Sequence, residues 1–155
     1  MSPTPKSQFS LAFNSMCVIF IALLVAQLTF AGIVFYLTSS AALGPAIQNS
    51  PLLDYVLPLL IVVQVTVAVL FASRRMDALR SEPDLATRIG LYKTAFLLKC
   101  AMLEGASFLA LIGFLLSQSL LFVGMFIIVL LTFLLNKPNA ERITEVLSIG
   151  REAVS

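Results

Sequence analysis

The apolar positions of this chain fall into four long runs separated by short polar links. They cover residues 16–37, 52–72, 94–116 and 120–135, the last being the shortest. A helix that crosses a bilayer needs about 20 mostly apolar residues. The pattern therefore predicts an all-α fold, a bundle of four transmembrane helices. The first run is too long for a cleavable signal peptide. It also lacks a basic segment beyond Lys6 and an Ala-x-Ala exit. No internal repeat stands out. The outer link of the first hairpin is long and that of the second has three residues, which argues against an inverted-repeat transporter.

The links add local detail. In Ser81-Glu82-Pro83-Asp84, Ser81 reads as an N-cap, Pro83 as a first-turn residue and Asp84 as the capping-box acid. Helices two and three then extend past the bilayer as a cytoplasmic helical hairpin, with arms 73–80 and 82–93. Met76, Leu79, Leu85 and Ile89 favour this over a plain solvated loop, because they form an apolar stripe at helical spacing. Pro51 suits a helix start. Pro58 either begins the regular helix or kinks it by freeing the carbonyl of Asp54. Lys137-Pro138 ends or bends the fourth span. Asn139 can cap a short amphipathic helix over 140–148, with Ile143, Val146 and Leu147 on one face. The chain thus divides into a transmembrane domain, 1–137, and a cytoplasmic tail, 138–155.

Charge sets the orientation. All ten Lys and Arg can be assigned to one side of the membrane: Lys6, Arg74, Arg75, Arg80, Arg88, Lys93, Lys99, Lys137, Arg142 and Arg151. The links 38–50 and 117–119 carry none. By the positive-inside rule both termini and the central link are cytoplasmic. Tyr36 and Tyr55 fall at the outer interface and Tyr92 at the inner one. The expected location is a bacterial cytoplasmic membrane.

Composition removes several functions. The chain of 155 residues is 59% apolar and 12% charged, with a mean hydropathy of +1.01. Soluble domains run nearer 45–50% apolar and roughly 25% charged. There is no His and there are two Cys, Cys17 and Cys100, each in an apolar run. That leaves too few ligands for a zinc or haem site, and a disulfide framework is not expected. No metal or other cofactor is expected. A net charge of +2 gives no nucleic-acid footprint. Phosphate loops, His-Glu pairs, nucleophile elbows and paired intramembrane acids are all missing, so the chain does not read as an enzyme and no catalytic residue is assigned.

The chemistry that stands out lies inside the membrane. Glu104 sits about 14 Å from the inner edge of a core about 30 Å thick. An ionised carboxylate there costs at least about 2.5–3.5 kcal/mol, so it must be protonated, paired or wet. Gln27 in span one and Gln64 in span two come out at a similar depth, about 12–17 Å. The economical reading is a buried cluster, Gln27–Gln64–Glu104, with Ser107 one turn along. Two roles stay open: a neutral interhelical contact, or proton or ion handling by Glu104. Lys99 is five residues away, so it snorkels to the inner interface or meets another helix or a lipid headgroup. Arg74 and Arg75 mark the membrane boundary beside anionic lipid. Small residues spaced i, i+4 (Ala101 and Gly105, Ala106 and Ala110, Gly113 and Ser117, Ala22 and Ala26) let helices approach closely and make span three the central helix. Span four, with Phe122, Phe126 and Phe133, suits lipid or a neighbouring subunit.

Tyr92-Lys93-Thr94-Ala95 followed by Ala101-Met102-Leu103-Glu104-Gly105, with Ala26-Gln27-Leu28 and the tail Lys137-Pro138-Asn139-Ala140-Glu141-Arg142-Ile143, resembles a group of small bacterial four-helix membrane proteins. They share a Leu-Glu-Gly third helix and a basic-Pro-x-x-acidic-basic-Ile tail. In them a Pro is expected after the Glu-Gly pair, where Ala106 stands here. The resemblance implies the four-helix topology and points at Gln27 and Glu104, but implies no activity. The resulting expectation is a non-enzymatic membrane protein that assembles with itself or with other membrane subunits. The alternative is a proton- or ion-coupled carrier or channel using Glu104, with Gln27 and Gln64 as ligands.

Overall fold

The computed structural model describes residues 5–40, 50–79, 84–140 and 143, and within these it describes every side chain except those of 5–8, 52, 72 and 75–79. Among the described residues the chain is helical, with no strand. The helices are α1 (Pro5–Ser39), α2 (Leu57–Leu79), α3 (Leu85–Ser117) and α4 (Leu120–Leu135). The segments Phe9–Ser39, Leu53–Phe71 and Leu85–Ser117 are each long and apolar enough to cross a membrane, whereas α4 is a shorter apolar helix of 16 residues.

Local chemistry explains the ends. Pro5 is the first residue of α1, where its fixed φ suits a helix start and its missing N–H is not needed. α1 therefore begins well before the apolar run that revealed it. At its other end Thr38, Ser39 and Ser40 turn their hydroxyls back on the carbonyls of Val34, Tyr36 and Leu37 at 3.0–3.1 Å. The Tyr36 carbonyl also accepts from the Ser40 N–H at 3.0 Å, so hydroxyls and backbone together close the last turn.

Pro58 resolves into both of its readings at once. A single π-helical turn, Leu52–Val56, precedes it, and α2 starts at Leu57 with Pro58 in its first turn. The ring can donate nothing to the Asp54 carbonyl, and a widened turn is how a helix absorbs that loss. Asp54 is exposed.

The start of α3 differs from expectation. Asp84, not Ser81, is the N-cap: its backbone is extended (φ −85°, ψ 123°) and its carboxylate accepts from the Thr87 N–H at 2.9 Å and the Thr87 hydroxyl at 2.6 Å. Asp-x-x-Thr supplies two donors to one carboxylate. Ser81–Pro83 lie outside the described residues. The Thr87 hydroxyl and then the Thr87 N–H hold the Asp84 carboxyl below its ordinary 3.8. A lowered folded value means that this cap is fully present above 3.8 and is lost as pH falls through the folded value. Asp84→Ala should therefore speed amide exchange at Thr87 at neutral pH, and the difference from wild type should vanish in strong acid.

The α3–α4 turn needs only two residues. Gln118 takes a left-handed conformation (φ 54°) and donates its N–H to the Phe114 carbonyl at 2.7 Å. Ser119 then caps α4, its hydroxyl accepting from the Leu121 N–H at 3.4 Å. α4 has the bounds its apolar run predicts. The helix expected over 140–148 falls mostly outside the described residues, but Ala140 and Ile143 are helical. The Ile143 N–H donates to the Asn139 carbonyl at 3.1 Å, and the Ile143 side chain joins the core.

α3 is the central helix: α1, α2 and α4 each pack along it. Side-chain pairs fix the directions. Phe30 meets Phe108 edge to face at 5.1 Å between centroids, and Phe35 meets Phe114 at 5.3 Å, so α1 and α3 rise together. Phe20 stacks on Phe133 of α4 at 4.7 Å. Gly113 of α3 lies against the ring of Phe122. This corrects the expectation for span four. Phe122, Phe126 and Phe133 are buried inside the bundle, and the outward face is Leu120, Leu121, Ile127, Ile128, Leu131, Leu134 and Leu135. Tyr92 likewise is buried, whereas Tyr36 and Tyr55 are exposed.

Candidate functional site

The three polar residues placed at one depth by counting do not form one cluster. They form two separate contacts and one unmatched acid, all on α3.

The first contact joins α1 to α3. Gln27 and Ser107 are both completely buried, and the Ser107 hydroxyl donates to Gln27 Oε1 at 3.3 Å. Gln27 lies on the buried side of α1 with Met16, Phe20, Ala31 and Val34. Its Nε2 has no hydrogen-bond partner among the described residues. An orphaned buried donor costs about 1–3 kcal/mol. The contact thus fixes register and angle between α1 and α3 rather than adding much stability.

The second contact joins α2 to α3 and was not foreseen. Gln64 Nε2 donates to the backbone carbonyl of Met102 at 2.9 Å. A carbonyl has two lone pairs, so it can accept this bond as well as its helical one. Gly105 makes it accessible: a Cβ there would stand 2.7 Å from Gln64 Nε2. Gly105 is therefore a notch for a side chain. The Ala101–Gly105 spacing signalled close approach, but not that an amide would fill half of it. Of the other small pairs, Ala106 and Ala110 are fully buried, whereas Ala22 and Ala26 are exposed.

Glu104 is the unmatched group. It is half-buried, near the middle of α3, and no hydrogen bond or ion pair to it is present among the described residues. Helix geometry shows why it misses both amides. At 3.6 residues per turn, Glu104 lies about 60° round α3 from Ser107 and about 60° the other way from Ala101. Ser107 is sealed against α1, and Ala101 is exposed. Glu104 stands at the border between the buried side of α3 and its open side.

The basic residues separate too. Lys99 does not simply snorkel: its Nζ donates to Asn136 Oδ1 at the C-terminal end of α4. Asn136 in turn donates from Nδ2 to the Thr132 carbonyl at 2.5 Å. A cation at a helix C-terminus complements the negative end of the helix dipole. Arg74 is exposed near the end of α2, and the side chain of Arg75 lies outside the described residues. No group of three or more His, Cys, Asp or Glu that could hold a metal occurs among the described residues. No family model, curated protein or solved structure matches the chain.

Proposed function

We propose that this chain is a non-enzymatic membrane subunit that assembles laterally with other membrane helices. The observation that carries this is Glu104: a half-buried acid midway along the central apolar helix, with no partner among the described residues. In a bilayer an isolated carboxyl at that level is costly, whether ionised or lacking a donor. A donor from a neighbouring subunit removes the cost.

In this reading the chain crosses the membrane four times, with both termini in the cytoplasm. The basic residues Arg74, Arg88, Lys93, Lys99 and Lys137 fall at the end shared by the C-termini of α2 and α4 and the N-terminus of α3. Bacterial inner membrane and a cytoplasmic α2–α3 hairpin belong to the same proposal. The alternative, an ion carrier or channel, needs Gln27 and Gln64 as ligands to Glu104. It is less well supported because each amide engages a different helix contact.

In-membrane cross-linking of the full chain in native membranes tests the proposal. Wild type is expected as a species larger than one chain. Glu104→Leu should reduce that species at least several-fold, and Glu104→Gln, which keeps an acceptor, should retain most of it. A wild-type chain that stays single would overturn the reading. Loss of proton or ion flux in Glu104→Gln liposomes would favour the carrier.

A further inference from the structure

What stands opposite Glu104 leaves it open to the membrane. Phe30 of α1 and Phe108 of α3 meet edge to face, centroids 5.1 Å apart, and close the cleft between the two helices. One turn toward the N-terminal end of both helices, four residues earlier on each, the corresponding pair is Ala26 and Glu104. A methyl group cannot close what two rings close, so the cleft opens there into a small window. Ala26 is exposed and Glu104 is half-buried.

The level of the window follows from its neighbours. Gln27 faces Ser107, and α1 and α3 rise together, so Glu104 is level with about residue 24 of α1. The exposed Ala22 and Ala26 straddle that level, and the exposed Ala101 lies one turn before Glu104 on α3. The Gly105 notch, filled by Gln64, is about 100° round α3 from Glu104 and leaves the acid uncovered.

The carboxyl needs a donor at its own depth. Among the described residues the other donors near that depth are engaged or out of reach. Gln64 Nε2 and the Ser107 hydroxyl hold helix contacts, and the hydroxyls of Thr66 and Thr132 are spent on the carbonyls of Val62 and Ile128. Gln27 Nε2 is sealed inside its own chain. The exposed Thr29 stands roughly 7.5 Å further along. The group that remains is the acid itself. A protonated carboxyl carries one O–H donor and keeps acceptor capacity, so two of them pair reciprocally. A two-fold axis along the membrane normal preserves depth and sets a patch against its own copy.

We propose that this chain pairs with a second copy of itself through the window formed by Ala22, Ala26 and Ala101, and that the two Glu104 carboxyls hydrogen-bond to each other across the two-fold axis. The three alanines let the backbones come close enough for that pair. This rests on the assembly reading above and names its surface and its partner.

The test uses the full chain, purified and reconstituted alone into phosphatidylcholine–phosphatidylglycerol liposomes. Cys17→Ala removes the half-buried thiol, and the buried Cys100 stays. A lipid-soluble oxidant then joins cysteines that meet across the axis. Leu131→Cys is the control, because Phe133 stacks on Phe20 and this places the exposed Leu131 on α4 at nearly the level of Ala101. At least one of Ala26→Cys and Ala101→Cys is expected to give a linked dimer about tenfold or more above the control, since a disulfide needs Cα atoms within about 7 Å. Adding Glu104→Leu should reduce that dimer at least about fivefold through loss of the paired hydrogen bonds. Glu104→Gln keeps a donor and an acceptor and should retain it. Ala22→Phe, which fills the window from an exposed position and leaves Glu104 intact, should abolish it. Window positions that link no better than Leu131→Cys, or a dimer indifferent to both Glu104→Leu and Ala22→Phe, overturn the proposal.

Native-membrane cross-linking separates this failure from failure of the assembly reading. A larger species in native membranes with no dimer in the liposomes keeps assembly and replaces the second copy by another protein. A wild-type chain that stays single in both removes both.

Discussion

Phe133→Ala should lower the unfolding free energy by about 3–5 kcal/mol, the usual cost of truncating a buried Phe. Phe133 is completely buried, and its ring stacks on Phe20 at 4.7 Å with an interplanar angle of 11°. The position matters because α1 and α4 both lean on α3, and this stack ties them to each other. Removing the ring opens a cavity near the turn where Asn136, Lys99 and Thr132 are bonded together. Reversible unfolding in mixed detergent micelles measures the loss. Leu134→Ala is the control: the next residue is 41% exposed on the outer face. It should cost well under about 1 kcal/mol, since surface changes away from special features stay within about 0.5 kcal/mol. Equal losses for the two would mean that α4 packs by a different face.

Which face a helix buries was in fact readable for α4. Phe122, Phe126, Val129 and Phe133 recur at four, three and four residues, which is a helical stripe. Composition alone had sent these rings outward, because an apolar average hides its own periodicity. The four helices and the central place of α3 were legible for simpler reasons. Length and hydrophobicity find membrane helices, and Ala106, Ala110 and Gly113 mark the helix that others approach.

The site was legible in depth and not in direction. Counting residues at 1.5 Å each puts Gln27, Gln64 and Glu104 at one level, but it says nothing about rotation about each axis. Ser107 and Glu104 are one turn apart, yet only Ser107 turns fully onto α1. Gln64 found a backbone carbonyl, a partner present at every position and so invisible to motif reading. Asp84 was missed as a cap because Ser81 precedes Pro83 so conspicuously. Asp-Leu-Ala-Thr carries the stronger signal, two donors at one carboxylate.

The glycines allow the packing to be tested from the opposite direction, by adding an atom. Gly113→Ala should destabilise the fold by about 1–3 kcal/mol through overpacking. The new Cβ would stand 2.6 Å from Cδ1 and Cε1 of Phe122. That ring is 1% exposed and packed between helices, so it has no free space into which to withdraw. The Ser117 hydroxyl bonds to the Gly113 carbonyl at 2.8 Å and Gln118 returns to Phe114, so a backbone shift would strain the α3–α4 turn as well. Gly32→Ala and Gly124→Ala are the contrast, because an added Cβ meets nothing within 4 Å at either position. There the better helix propensity of Ala should stabilise by about 0.5–1 kcal/mol. Combining Gly113→Ala with Phe122→Leu should recover part of the loss, because the second change makes room for the first. Neighbours that share one space are not additive. Four single variants, Phe122→Leu among them, and one double, unfolded in the same micelles, complete the comparison. A Gly113→Ala variant as stable as Gly124→Ala would show that α3 and α4 stand further apart than the Gly113–Phe122 contact requires.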